Sequence, residues 1–228
     1  MSDFNAIDKK YFEPLLEAGV IKVPAYAKQV KIDVGLSHTA VNSLLWISNP
    51  LLADRHIFGF DPHPSINPYE TAPLGRYTYI PCGLNDSYDG VEKDFYLCPH
   101  DPGQSSLYEP NRFKAQAIVK APFLSFKRFL DHFPWNRFPY IEHLKTDTQG
   151  HDLKILKSMG DHLTRVVHLE VECETYENEY KDETSKEQTQ EYLEQMGFRL
   201  SAEAVIDQTY VNTRYLDIAP TLDNSRVP

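Results

Sequence analysis

Cysteine is scarce in this chain, and its three copies, Cys82, Cys98 and Cys173, stand far apart in no paired spacing. That excludes a cysteine-ligated zinc site and fits a reducing compartment. No apolar run approaches the roughly eighteen residues of a membrane-spanning helix, so no membrane partner is expected. The opening residues Met1-Ser-Asp-Phe-Asn-Ala-Ile-Asp-Lys-Lys10 are polar and acidic, unlike a signal peptide, and a cytoplasmic location is expected. Basic clusters are lacking too. With 23 basic residues against 33 acidic ones the formal charge is −10, which disfavours nucleic-acid binding because phosphate neutralisation needs grouped Lys and Arg. Between Glu170 and Glu194 ten acids face only Lys181 and Lys186. Such a segment is ordinarily a solvated face, and otherwise a site for a cation.

What is present is an ordinary globular composition, 41% hydrophobic and 12% aromatic over 228 residues. That length suits a single sizeable α/β domain over residues 1–228. Residues 8–18 read as a leading helix, with Phe12, Leu15 and Leu16 on one face and Gly19 as its stop; residues 1–29 form an N-terminal helical extension. Five strands are predicted next: Val30–Val34, His56–Phe60, Tyr77–Pro81, Tyr140–Thr146 and Arg165–Val171. Helical stretches lie between them around Leu44–Ile47, broken by Asn49-Pro50, around residues 125–133, with Ser125 as N-cap, and over His151–Met159. Residues 92–98 alternate like a half-exposed strand, and residues 99–110 read as loop. A helix over Glu187–Met196 stops at Gly197, and strands Phe198–Ile206 and Val211–Ile218 are close enough to pair antiparallel. The pattern predicts an α/β fold: a mostly parallel sheet with helices on both faces and one antiparallel edge strand near the C-terminus.

The chemistry is expected at the strand tips. The first strand ends in Asp33-Val-Gly35 and runs at once into a helix. An acid and a glycine there also serve as an ordinary turn and cap. The second strand ends in Phe60-Asp61-Pro62, and a tip acid in that position is placed to accept hydrogen bonds from a ribose diol. The third is closed by Gly83-Leu84-Asn85. Small or polar residues on three consecutive tips point to a nucleoside-containing cofactor held by Asp33 and Asp61 at one sheet edge.

The order Asp33-Val-Gly35, Phe60-Asp61-Pro62, Gly103-Gln-Ser-Ser-Leu107 and Lys145-Thr-Asp-Thr-Gln-Gly150, followed by Leu169-Glu-Val171, resembles the FkbM-type S-adenosylmethionine-dependent methyltransferases. Tyr192–Phe198 and the terminal strand are similar to that family's ending. The resemblance implies a Rossmann-like class I methyltransferase sheet and S-adenosyl-L-methionine as cofactor. It also implies O-methylation of a hydroxyl on a small-molecule or sugar acceptor. By the same resemblance Asp33, Gly35 and Ser37, with His38 in the same loop, line the methionine end. Asp61 and Pro62 hold the ribose, Leu84 and Asn85 face the adenine, and Asp147 lies nearest the methyl group and acceptor.

This chain has Leu36 and Ser37 where the family carries Ala-Asn, Thr39 for its second glycine and Gln149 for its glutamate. These departures motivate a second reading, a cofactor-binding relative without transfer activity. A third, a nicotinamide-dependent oxidoreductase, is opposed by the lack of Gly-x-Gly-x-x-Gly after the first strand. A hydroxyl acceptor needs a base within hydrogen-bond reach; Asp147 and His151 are the candidates, ahead of His38 and His63. Asp147 alternatively caps the helix that starts near His151. His151-Asp152, Glu170 and Glu172 include no third ligand at metal spacing, so no metal is expected. Residues 99–124, long for a connection, are expected either to cover the acceptor or to pack as an excursion on the sheet edge.

Overall fold

The computed structural model describes residues 4–37, 40–66, 75–98, 100–173 and 179–222. The chain opens not with a long helix but with a π-helical turn at Asp8–Phe12 and a 3-10 turn at Glu13–Leu15. A small hairpin follows, β1 (Leu16–Glu17) and β2 (Val20–Ile21). Pro14 lacks the N–H that a continuing helix needs. Ala18 and Gly19, at φ +50° and +81°, supply the two positive-φ residues of a tight hairpin turn. Gly19 therefore turns the chain between strands, where the spacing predicted a helix stop.

The main sheet has seven strands. They are β3 (Gln29–Val34), β4 (Arg55–Phe60), β5 (Tyr77–Ile80), β9 (Ile141–Thr146), β10 (Val166–Glu172), β11 (Phe198–Glu203) and β12 (Asp207–Asn212). Their order is β11-β12-β10-β9-β3-β4-β5. All run parallel except β12, which is antiparallel to both β10 and β11. The reversed strand is thus not the edge, as expected from the sequence, but lies one place inside it. It is also displaced, beginning at Asp207 rather than Val211, and Asn212 accepts a hydrogen bond from Arg214 N and turns the chain into a 3-10 turn at Thr213–Tyr215. The expected strand over 211–218 ends there.

β4 shows how the sheet is sandwiched. Ile57 packs with Trp46 and Ile47 of α1 (Val41–Ser48) on one face. Its neighbours Phe58 and Phe60 point the other way, into a core shared with three helices. These are α2 (Phe126–Asp131), α3 (Asp152–Ser158) and α4 (Lys186–Gln195). Strands buried on both faces need the near-continuous apolar runs that β4 and β10 carry. α1 stops at Asn49, whose extended backbone precedes Pro50. Ser125 caps α2 by accepting from Arg128 N, and Ser185 with Gln188 forms a reciprocal cap on α4. At the amino ends of the central strands, Lys31 and Arg55 both pair with the buried Glu142, at 2.9 and 3.0 Å.

A second, three-stranded sheet stands beside the first: β6 (Gly83–Asn85), β7 (Val91–Leu97) and β8 (Ala117–Ser125), in the order β6-β8-β7. Most of β8 lies inside residues 99–124, expected from the sequence as a long connection. Pro122 interrupts its run, and a proline within an apolar stretch argues against a strand. Here it precedes the pairing with β6, which begins at Phe123, and lies opposite Glu92 of β7, while Ala121 and Phe123 pack with Phe95. The last helix, α5 (Ala219–Leu222), packs on Val167.

Candidate active site

Three parallel strands deliver their carboxyl ends to one cleft. Gly35 follows β3, Asp61 follows β4 and Asp147 follows β9; all three line it. The backbones meet closely: Gly35 N donates to Phe60 O at 2.9 Å and Asp147 N donates to Val34 O at 2.9 Å. Gly35 has φ +80°, and a Cβ there would stand 1.7 Å from Asp147 O. Only glycine satisfies both the conformation and the approach. The opposite wall is apolar, formed by Leu84, Phe95 and Phe123 of the small sheet, with Pro102, Gly103 and Leu107 from the segment before β8.

Asp61 is buried, and each of its oxygens accepts a backbone N–H: Leu36 N at 2.7 Å and His63 N at 2.8 Å. Burial pushes its carboxyl up to about 7; the two hydrogen bonds oppose this, while the charges of Asp147 and Asp33 add to it. Carboxylate oxygens have further lone pairs, so Asp61 retains acceptor capacity toward the cleft. Asp147 is held from both sides. Its Oδ2 accepts from the buried Lys145 ammonium at 2.8 Å, and its Oδ1 accepts from Gln149 Nε2 at 3.1 Å. Burial alone would raise this carboxyl, but the Lys145 charge and hydrogen bonds from the Glu172 carboxyl, Lys145 and Gln149 bring it below its ordinary value. His151 is 4% exposed, with Nδ1 2.8 Å from the Tyr108 hydroxyl. Its Nε2 has no hydrogen-bond partner among the described residues. Burial lowers its pKa to about 4, so the ring is neutral at physiological pH.

Gly35, Ser37, Asp61, Pro62, Leu84, Asp147 and His151 are brought together in the cleft lining. Asp33 is at the same sheet end but beneath the lining. Its Oδ2 accepts from Ser43 N and Oγ, at 3.0 and 2.6 Å, and burial raises its carboxyl to about 6. Asn85 is fully buried and engaged at both ends, donating to Leu124 O and accepting from Ser87 N. His63 stands behind Asp61, where its Nδ1 accepts from Ser65 N. His38 and Thr39 lie outside the described residues. Glu172 reaches Gln149 Nε2 at 2.6 Å, and among the described residues no three His, Cys, Asp or Glu groups converge as metal ligands. No described helix is long and apolar enough to cross a membrane.

Four contributors escaped the sequence reading: Lys145, Gln149 as a bridge, Tyr108 and Tyr180. A lysine inside a buried strand, two residues before Asp147, was the available signal for the first. The others act across 23 to 76 residues of chain, which periodicity does not register.

Residues 12–200 match the model of the methyltransferase FkbM domain. The chain belongs to the FkbM methyltransferase family. That match spans from Phe12 in the first π-helical turn to Leu200 in β11. It therefore takes in every strand tip of the cleft and the whole of the small sheet. No curated protein and no solved structure matches the chain.

Proposed function

We propose that this methyltransferase uses S-adenosyl-L-methionine, on a Rossmann-like class I fold, to methylate a hydroxyl oxygen of a small molecule or sugar. The observation that carries this reading is the convergence of Gly35, Asp61 and Asp147, from three adjacent parallel strand tips, on one cleft. Ligands of open α/β sheets bind at that end. The fold reading is supported by the sheet order, with β12 reversed and inserted between β10 and β11.

The residues present suit the cofactor. Asp61 offers carboxylate acceptors for ribose hydroxyls, beside Pro62. Leu84, Phe95 and Phe123 give an apolar wall for the base. Gly35 and Ser37 leave backbone exposed to the amino-acid end. Asp147, fixed by Lys145 and Gln149, presents an anion toward a positive centre. When bound, S-adenosylmethionine supplies a methyl group on a positively charged sulfur. The protein's task is then alignment, worth ~7–11 kcal/mol at the limit. His151, neutral and with Nε2 free of partners among the described residues, takes the proton from the acceptor hydroxyl. Asp147, engaged on both oxygens, positions rather than deprotonates. The segment Pro102–Leu107 screens the acceptor from water.

Thermal unfolding with S-adenosylhomocysteine, and with NAD in parallel, tests the cofactor. Ligand at about a hundred times its dissociation constant adds ~2.7 kcal/mol of stability. Asp61→Ala is expected to lose that gain. An unchanged gain, or stabilisation by NAD alone, refutes the reading. Labelled-methyl turnover over an acceptor panel then separates an enzyme from a binding-only relative.

A further inference from the structure

The side chain that fixes Asp147 from the turn after β9 also reaches a second acid. Gln149 adopts φ +58°, a left-handed conformation that a residue bearing a side chain takes only under constraint. It is 8% exposed. Its amide nitrogen carries two hydrogens and meets two carboxylates, Asp147 Oδ1 at 3.1 Å and Glu172 Oε2 at 2.6 Å. Its amide oxygen lies 2.8 Å from the Tyr180 hydroxyl, which is also 2.9 Å from Gln104 O. The backbone oxygen accepts from Ser106 Oγ at 2.8 Å. Since carboxylates only accept when ionised, the amide is oriented with its nitrogen between them. The two acids also meet directly, with the Glu172 carboxyl bonded to Asp147, so they share a proton; donation from the amide to Asp147 keeps that proton on Glu172, and without it the proton is free to pass to Asp147. The surroundings are acidic, and the charge of Asp147 helps raise the carboxyls of Asp33, Asp61, Asp152, Glu170 and Asp207. Among the described residues Lys145 is the cation that directly pairs with it.

We propose that Gln149 is a positioning residue: by donating to Asp147 and Glu172 together, it keeps Asp147 a fixed anion facing the cleft. This makes the site prefer a cationic ligand over its neutral counterpart. The inference rests on the cleft being the cofactor site, and its cofactor consequence is a preference for the sulfonium of S-adenosylmethionine over the thioether of S-adenosylhomocysteine. A side chain of similar length without a donor removes that preference where the acid pair holds a proton, and the preference returns as the proton leaves.

The test compares wild type, Gln149→Met and the double variant Gln149→Met/Glu172→Gln. Affinities for both ligands are measured from about pH 6 to about pH 9, together with melting of the unliganded proteins. In Gln149→Met the sulfonium-to-thioether affinity ratio is expected to fall about tenfold near pH 6, equivalent to about one pKa unit, and to recover toward pH 9. Its melting temperature is expected to drop below wild type by a gap that widens as pH rises, because a carboxyl whose folded pKa is raised loses stability through that pKa. The double variant restores both readouts, as it removes the second acid. A merely structural glutamine would lower both affinities equally at every pH. That result overturns the proposal, as does a Gln149→Met that keeps the wild-type ratio and melting profile, or a double variant no more stable than the single one. Wild type that binds neither ligand refutes the cofactor reading, while the melting comparison still judges the donor role.

Discussion

Replacing Gly35 by alanine probes the junction on which the cleft depends. The added Cβ would stand 1.7 Å from Asp147 O and 2.6 Å from Asp147 C, against a practical minimum of 3.0 Å. Relief requires the β3 and β9 tips to part by at least 1.3 Å, the difference between 3.0 and 1.7. No side chain can absorb the shift, because the clash is with backbone. Overpacking of this kind costs about 1–3 kcal/mol. The left-handed conformation costs an alanine roughly 1–2 kcal/mol. Loss of the Asp147 N to Val34 O hydrogen bond adds about 0.5–1.5 kcal/mol. Urea unfolding of Gly35→Ala is therefore expected to show a loss of about 3–6 kcal/mol. Gly160, at φ +55° with open space around the position a Cβ would take, is the control. Gly160→Ala should lose only the conformational part, about 1–2 kcal/mol. Equal losses in the two variants, or a loss under about 1 kcal/mol in Gly35→Ala, would refute the close approach of the strand tips.

Glu142→Gln leaves the buried cations Lys31 and Arg55 short of their shared counter-charge, and denaturant unfolding should report a loss of about 3–5 kcal/mol. For Asp61, burial raises the folded carboxyl to about 7, so folding favours the protonated form. Its stabilisation is present at acidic pH and is lost as pH climbs from about 4 to about 7. Melting curves of the unliganded wild type should accordingly fall relative to Asp61→Asn over that window; a constant gap contradicts the shift. His151→Gln should lower methyl turnover by about a hundredfold or more while S-adenosylhomocysteine affinity stays within about threefold. Equal losses in both would assign His151 to binding.

The strands that form the middle of the sheet were legible because burial on both faces demands near-continuous apolar runs, as in Ile57–Phe60 and, broken only by His168 and Glu170, Val166–Val171. Helix ends carrying their own chemistry were legible as well: Ser125 before α2, Asn49-Pro50 after α1, Gly197 after α4. The strand-tip acids could be placed at one edge from spacing alone. What escaped was set by distant partners. β8 takes its strand form from pairing with β6 and β7, and Pro122 hides the pattern locally. β12 could be seen to reverse, but its place inside the edge depends on β10 accepting it as a neighbour. Asp33 illustrates the limit at the site. Its position at the tip was evident, yet whether it faces the cleft or Ser43 depends on where α1 comes to rest. The departure at Gln149 was equally visible in the sequence, but its bridging role required Glu172 and Tyr180 in place.

The most direct test is a crystal structure of the chain grown with S-adenosylhomocysteine. The expected result has the ribose hydroxyls on the Asp61 carboxylate, the base against Leu84 and the sulfur on the Asp147 side of the cleft. A ligand bound elsewhere, or a ribose with no contact to Asp61, would contradict the methyl-donor site.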